Sequence, residues 1–341
     1  MSSAHALSFL AVLLQSTGKV MYGTFLGAIA PAQFLLISFC VVAGVFLVVA
    51  RGRLPAGSRA AIVSVNVWTA VAFICFFFAL KHLSPAAVGA IEIGVAVLVA
   101  VVAAAWQRRA RAESGRQTEA RAAGEPRSGG RPSGGRPGAA KLVVCAGIVG
   151  GCALLVPVEL ERAAAASWNT VFALIAAAIA GAASTLMIGS FRRLADNGWR
   201  PASILAHRFY LTIAVALAWV SFEGGIGIAG SAGSVAGLAL PAPADALTIV
   251  AVAAIGVMLP LLLLQFAVRK TDGLTLMICM ALQPVLSFML SMLSPAYDWQ
   301  PVTLAGTLIV AGALLFDVFA GRRKLATRPT PATAPVRVSA P

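Results

Sequence analysis

Apolar runs of about twenty residues recur along the chain, cut by short polar gaps. A bilayer core about 30 Å thick is crossed by roughly 20 helical residues, so each run predicts a spanning helix. Ten runs fall at roughly 6–27, 31–50, 61–80, 86–106, 141–157, 168–190, 202–222, 246–268, 273–293 and 301–320.

The gaps carry the orientation. Alternate gaps hold Arg51, Arg53 and Arg59; nine bases from Arg108 to Lys141; Arg192, Arg193 and Arg200; Arg269 and Lys270; and, in the tail, Arg322, Arg323, Lys324, Arg328 and Arg337. These gaps contain 22 bases, and the intervening ones contain only Lys81 and Arg162. Basic loops stay on the cytoplasmic side. Both termini are therefore expected in the cytoplasm, with an even number of spans in the cytoplasmic (inner) membrane. The first run has no basic stretch before it and no clear cleavage site, so it is expected to be a retained span and not a removed signal peptide.

Composition agrees with a membrane protein. The 341 residues are 60% hydrophobic and 11% charged, where a soluble domain carries about 25% charge. The net charge of +14 lies mostly in the gaps, so it reports topology and argues for no nucleic-acid partner. Cys40, Cys75, Cys145, Cys152 and Cys279 all fall within apolar runs with no CxxC spacing; they are expected to be small buried residues, not disulfides or metal ligands. No cofactor is expected.

Residues 108–140 are rich in Arg, Gly, Pro and Ser, with Ser-Gly-Gly-Arg-Pro at 128–132 and again at 133–137. Such a segment builds no core, and is expected to be a disordered basic cytoplasmic linker between the fourth and fifth helices. It divides the chain into a first five-helix unit (1–107 with 141–157) and a second (168–320), followed by a cytoplasmic tail (321–341). The two units show internal similarity. Pro31-Ala-Gln-Phe-Leu-Leu-Ile-Ser-Phe39 matches Pro201-Ala-Ser-Ile-Leu-Ala-His-Arg-Phe209 at the start of each second helix. Phe78-Ala-Leu-Lys-His82 matches Phe266-Ala-Val-Arg-Lys270 at the end of each third, and Gly23-Thr-Phe25 matches Gly189-Ser-Phe191 at the end of each first. Five is odd, so the second unit enters the membrane upside down. The expected fold is an all-α integral membrane protein of ten transmembrane helices, arranged as two inverted five-helix repeats. Inverted repeats are a carrier architecture with a site near the midplane.

This outline resembles the EamA-type branch of the drug/metabolite transporter superfamily. The residues that carry the likeness are Phe76-Phe-Phe-Ala-Leu-Lys-His-Leu-Ser-Pro-Ala-Ala, its counterpart Leu259-Pro-Leu-Leu-Leu-Leu-Gln-Phe-Ala-Val-Arg-Lys, and Ala281-Leu-Gln-Pro-Val285. Ala90-Ile-Glu-Ile-Gly94 and Leu259-Pro260 look most like the threonine/homoserine exporter branch. The resemblance implies export of a small polar metabolite. There are departures. An arginine often found in the second helix of each repeat is matched by Arg208 but faces Ser38 in the first; Pro284 matches the fourth-helix proline, but Gly94 stands at the equivalent place; and the 108–140 linker is long.

Glu92 lies in the middle of an apolar run, where an ionisable side chain is costly and marks function by default. Its alternative role is to pair with a buried base and fix packing. Lys19 sits about 20 Å along the first helix and Glu92 about 10 Å below the outer surface, counting 1.5 Å per residue, so the two share a depth and are able to pair; otherwise Lys19 snorkels outward. Arg208, about two turns into the seventh run, either snorkels to the cytoplasmic face or binds a ligand. Its neighbour His207 reads as a packing histidine and Asp317 as an interfacial partner of Arg322 and Arg323. Gln265, Gln283 and Pro284 offer a polar wall, because a proline inside a helix frees a carbonyl that must be satisfied within the bundle. Met277, Met280, Met289 and Met292 read as flexible packing. Gly147, Gly151, Gly306 and Gly312 mark close packing of the fifth and tenth helices.

Substrate- or proton-binding candidates are therefore Glu92, Lys19, Arg208, Gln265, Gln283 and Pro284, with no catalytic or metal set. The expected function is a secondary transporter, not an enzyme, exporting an amino acid or related compound by alternating access with the proton as coupling ion. Its partners are a small-molecule substrate and the lipid bilayer. An intramembrane enzyme, a structural scaffold, and a carrier of a nucleotide-sugar or lipid-linked substrate remain open. Cysteine labelling from outside intact cells is expected to reach a cysteine placed at Gly230 and to miss one placed at Ala120, as the partition of bases requires.

Overall fold

The computed structural model describes residues 3–25, 30–51, 59–123, 139–162, 168–226, 243–270, 273–295 and 297–326. They form α1 (Ser3–Phe25), α2 (Pro31–Ala50), α3 (Arg59–His82), α4 (Pro85–Ala123), α5 (Ala139–Arg162), α6 (Trp168–Asp196), α7 (Pro201–His207), α8 (Tyr210–Ile226), α9 (Pro243–Ala253), α10 (Leu259–Lys270), α11 (Gly273–Ser291) and α12 (Pro301–Ala326). A π-helical segment, Ala254–Met258, joins α9 to α10. Among the described residues there are no strands.

Proline sets many of the starts. α2, α4, α7, α9 and α12 each open on a proline, whose missing N–H costs nothing in the first turn of a helix. α2 stops at Arg51, which turns left-handed (φ 54°) and returns its N–H to the carbonyls of Leu47 and Val48.

Among the described residues, eight regions are long and apolar enough to cross a membrane: Pro31–Ala50, Arg59–His82, Pro85–Gln107, Ala139–Arg162, Trp168–Asp196, Pro201–Phe222, Leu247–Ala267 and Pro301–Ala320. The protein is thus an all-α, multi-pass membrane protein. Its outer surface carries exposed Val48, Val49, Val102, Phe222 and Leu247, as a lipid-facing surface does, and Trp106 and Trp168 lie exposed at the ends of two of these apolar regions, where an aromatic belt would sit. α1 is helical but more polar, with Ser8, Gln15, Ser16, Thr17 and Lys19 along it. The described apolar stretch of α11 is Ile278–Ser291.

α1 lies inside the bundle, packed on α10, α11 and the π-helical segment. α6 packs on α3 and α4, and α2 on α7, α8 and α9. Tyr22, Phe34, Phe39, Phe77 and Phe209 form an aromatic core, with the Tyr22 ring edge-on to Phe34 and Phe77 at 4.8 and 4.9 Å. α1 reaches its place because Gly18 meets Gly256 of the π-helical segment backbone to backbone. A Cβ on Gly18 would come within 2.6 Å of the Gly256 Cα.

α5 and α12 pack closely through Gly151 and Gly306: a Cβ on Gly151 would lie 2.9 Å from the Gly306 carbonyl oxygen, and one on Gly147 2.9 Å from the Ala313 Cβ. Gly312 does not take part, since nothing lies within 4 Å of its Cβ position.

Two further expectations are corrected. α4 continues to Ala123, so residues 108–123 of the expected disordered linker are helical. Ala, Arg, Gln and Glu dominate there and are strong helix formers, which the emphasis on Gly and Pro missed; residues 124–138 lie outside the described residues. Of the five cysteines only Cys279 is buried, and Cys40 is exposed, because an apolar run tells nothing about which of its faces meets lipid.

Replacing Gly18 by leucine forces α1 away from Gly256 and is expected to cost about 1–3 kcal/mol, the usual range for overpacking. Leucine at the open Gly150 position serves as the control, and thermal unfolding in detergent should separate the two.

Candidate functional site

An ion pair lies where α1, α3 and α4 meet. Lys19 Nζ is 2.7 Å from Glu92 Oε2 and sits 5.2 Å from the centre of the Phe76 ring. Lys19 is buried and does not snorkel. Its side chain is 3% exposed, against 17% for Glu92, so the carboxylate is the more exposed end of the pair. Small residues make room for the pair: a Cβ on Gly89 would lie 3.5 Å from Lys19 Nζ, and Gly181 of α6 packs directly on the Glu92 backbone, where a Cβ has no space.

α11 supplies the polar side chains nearby. Ser287 Oγ lies within 4 Å of the same Gly89 position that Lys19 fills. Ser287 Oγ and Gln283 Nε2, one turn apart, are buried without hydrogen-bond partners. Ser16 of α1 donates to the Gln283 carbonyl at 3.3 Å. Pro284 is buried within an unbroken α11. Gln265 stands apart, half-buried on α10, and makes none of these contacts.

The second charged group is Arg208. It is 0% exposed, so the snorkelling alternative fails. Its guanidinium lies 4.7 Å from the Phe191 ring, 4.8 Å from Phe209 and 5.7 Å from Phe73, with Nη2 3.2 Å from Met187 Sδ. Nε and Nη1 have no partner. The local backbone explains how the side chain turns inward. The helix is interrupted at Arg208 and Phe209 between α7 and α8, with no proline or glycine at the break. Instead the Asn66 side chain of α3 inserts: its Nδ2 donates to the His207 carbonyl at 2.8 Å, and its Oδ1 accepts the Leu211 N–H at 3.2 Å. A side chain that takes over ladder hydrogen bonds is a recognised cause of a kink. Sequence reasoning passed over Asn66, and the signal for it was a lone asparagine inside an apolar run. His207 is buried and bonds Tyr210 through Nδ1 at 2.6 Å, while its Nε2 has no partner.

α3 links the two charged groups. Phe76 touches Lys19 and Phe73 touches Arg208, three residues or about 4.5 Å apart along the helix axis. On α6, Gly181 marks Glu92, and Met187 and Phe191 mark Arg208, about 9–15 Å further along. Beyond Phe191, a cleft of about 470 Å³ opens between the α3 start and the α6 end, lined by Ala60, Ala61, Ser64, Ser190, Arg193, Asp196 and Asn197.

Toward the opposite end of the bundle, among the described residues, α5 is tied to α4. Glu159 of α5 is buried and accepts hydrogen bonds from the Ser84 N–H at 3.0 Å and from the Ser84 hydroxyl, tying α5 to the start of α4. Arg162 lies over the Tyr297 ring at 5.0 Å. Burial raises the Tyr297 hydroxyl pKa, with Arg162 pulling the other way. Glu159 also went unnoticed in the sequence, since it lies just beyond the fifth apolar run. The expected pairing of Asp317 concerns Arg322 and Arg323, whose side chains lie outside the described residues. Met289 and Met292 are exposed, on the outer face of the bundle.

No protein-family model matches the chain, and no curated protein matches it. The chain is similar to a crystal structure of a protein with a TM-score of 0.57 and 19% sequence identity, over 94% of this chain and 98% of that one. At that identity the likeness shows a shared fold.

Removing Asn66 leaves the His207 carbonyl and the Leu211 N–H unsatisfied in the interior, which costs about 1–3 kcal/mol per buried group. Asn66→Leu is expected to lower the unfolding temperature by several degrees, and Asn66→Asp, which retains only the acceptor, to fall between it and the native protein in thermal melts.

Proposed function

We propose that this protein is a secondary transporter that exports a small polar metabolite, an amino acid or related compound, across the cytoplasmic membrane by alternating access, with the proton as coupling ion. The observation that carries the proposal is the Lys19–Glu92 pair, buried where α1 and α4 meet, with the unpartnered Ser287 hydroxyl beside it. Two apolar side chains would pack there without the desolvation cost of two charges, so a purely structural role leaves the pair unexplained.

The chemistry is competition for one carboxylate. With Lys19 on Glu92 the site is neutral. A proton arriving at the more exposed carboxylate displaces Lys19, and the freed lysine changes the balance of contacts between α1 and the helices around it.

In this reading α1 and α11 complete ten spans, and α1–α5 and α6–α12 are the two inverted repeats, with the α7–α8 and α9–α10 pairs each counting as one span. The packing pattern supports it. Exchanging the units pairs α1 on α10 with α6 on α3, and α1 on α11 with α6 on α4, while α5 on α12 and α4 on α11 map onto themselves; all of these contacts are present. The hydroxyl bridges exchange in the same way: Ser16 of α1 bonds a carbonyl of α11, and Thr185 of α6 bonds the Ala96 carbonyl of α4 at 2.8 Å. Glycine contacts make α1 and α6 the helices nearest their opposite units, so a tilt of one unit against the other passes through them. The 470 Å³ cleft and the Glu159–Ser84 tie toward the other end suit a state open toward the side of the α3 start, which in this reading is the cytoplasmic side.

Glu92→Gln keeps size and a hydrogen-bonding end but loses the charge. It is expected to insert normally, to lose uphill export by tenfold or more, the factor that about 1.4 kcal/mol represents, and to lose pH dependence while exchange at equal concentrations persists. The double variant Glu92→Gln with Lys19→Met removes the unpaired lysine. If the double variant regains pH-driven export, the pair is structural. Native pH-driven export by the single variant sinks the proton role for Glu92.

A further inference from the structure

The chain has 26 Lys and Arg residues and 12 Asp and Glu residues. Few lie deep inside the bundle: Lys19, Glu92 and Arg208 do so near its centre, and Glu159 does so toward the opposite end, where Ser84 holds it. Lys19 and Glu92 cancel each other. Arg208 is left, fully buried, and among the described residues no carboxylate pairs with it. Glu223, on the same stretch of helix, is 15 residues away, about 22 Å along the axis. The centre of the bundle therefore carries one uncompensated positive charge.

The surroundings of that charge offer donors. Nε and Nη1 of Arg208 are buried N–H groups without partners. α2, α3 and α8, the helices that bring Phe39, Phe73 and Phe209 together at 4.7 to 6.2 Å, carry Ser38, Thr69 and Thr212, each with a buried hydroxyl lacking a partner. Aromatic faces stabilise a guanidinium but supply no counter-charge and accept no strong hydrogen bond. A planar fork with free N–H groups matches a carboxylate.

We propose that Arg208 is the binding site for the carboxylate of a small organic monoanion, and that the transported compound carries a net charge of −1. This rests on the carrier reading and narrows its substrate class. A monoanion neutralises Arg208 and leaves Lys19 on Glu92. A zwitterion leaves the centre positive and brings an ammonium group with no free carboxylate. A cation adds like charge. The cleft lined by Ser64, Ser190 and Arg193 lies next along α6 to Phe191, whose ring packs on the guanidinium.

The test uses three probes of similar size: lactate (monoanion), alanine (zwitterion) and alaninamide (cation), each added to the full-length protein in detergent with chloride held constant. Lactate at about five times its dissociation constant is expected to raise the unfolding temperature by about 2–4 °C, with alanine giving less than half that shift and alaninamide none. Arg208→Lys, which keeps the charge but not the fork, is expected to lose most of the lactate shift. If that variant does not fold, the order of the three probes on the native protein decides alone. Equal or larger shifts with alanine or alaninamide, no shift with any probe, or a full lactate shift in a folded Arg208→Lys overturns the proposal. Counterflow of labelled lactate and alanine into preloaded vesicles separates the two readings. Alanine counterflow without lactate counterflow keeps the carrier and removes the anion site, while a lactate shift without counterflow of either keeps the anion site and removes the carrier.

Discussion

A charge inside a bundle walled by hydrocarbon is costly, and the contact of Lys19 with Glu92 sets two such charges against each other. A charged side chain at the bilayer centre costs about 2.5–3.5 kcal/mol on insertion scales, and pairing offsets part of that cost for both residues. Their 2.7 Å contact fixes the rotation of α1 against α4. Rotation of α1 by half a turn would point Lys19 at lipid and Glu92 at nothing. The close approaches at Gly18–Gly256 and at Gly181–Glu92 seat α1 and α4, the two helices that carry the pair.

The rest of the interior is arranged around that contact. The phenylalanines of α3 separate the pair from Arg208, with Phe76 on one side and Phe73 on the other. Asn66, one further turn and more along α3, holds the α7–α8 break that turns Arg208 inward. One helix thus sets the position of both charges, through a ring for each and an amide for the backbone of the second. α5 and α12, joined to each other by small residues, touch neither charge and act as a frame.

The two ends differ for equally local reasons. At one end, hydroxyls and a short polar cleft leave space between α3 and α6. At the other, Glu159 takes both the N–H and the hydroxyl of Ser84 while Arg162 covers Tyr297, which ties α5 to the start of α4. A carboxylate that caps the start of a neighbouring helix is a firm tie, because it satisfies backbone groups that water cannot reach.

Much was legible in the chain alone. The length and spacing of apolar runs dictated helices, since only a helix satisfies its own backbone in hydrocarbon, and Glu92 and Lys19 were visible as charges in the wrong place. Helical rise even put them at one depth. What the sequence left open was direction. Whether Arg208 reached for water or for the interior depended on a break that a distant asparagine creates, and nothing near Arg208 in sequence encodes it. The exposed face of Cys40 and the idle Gly312 are of the same kind. Hydropathy fixes that a segment is buried in a membrane, whereas the side on which each residue lands is fixed by which neighbour it packs against. That information belongs to pairs of helices far apart in the chain, and only the tertiary structure contains it.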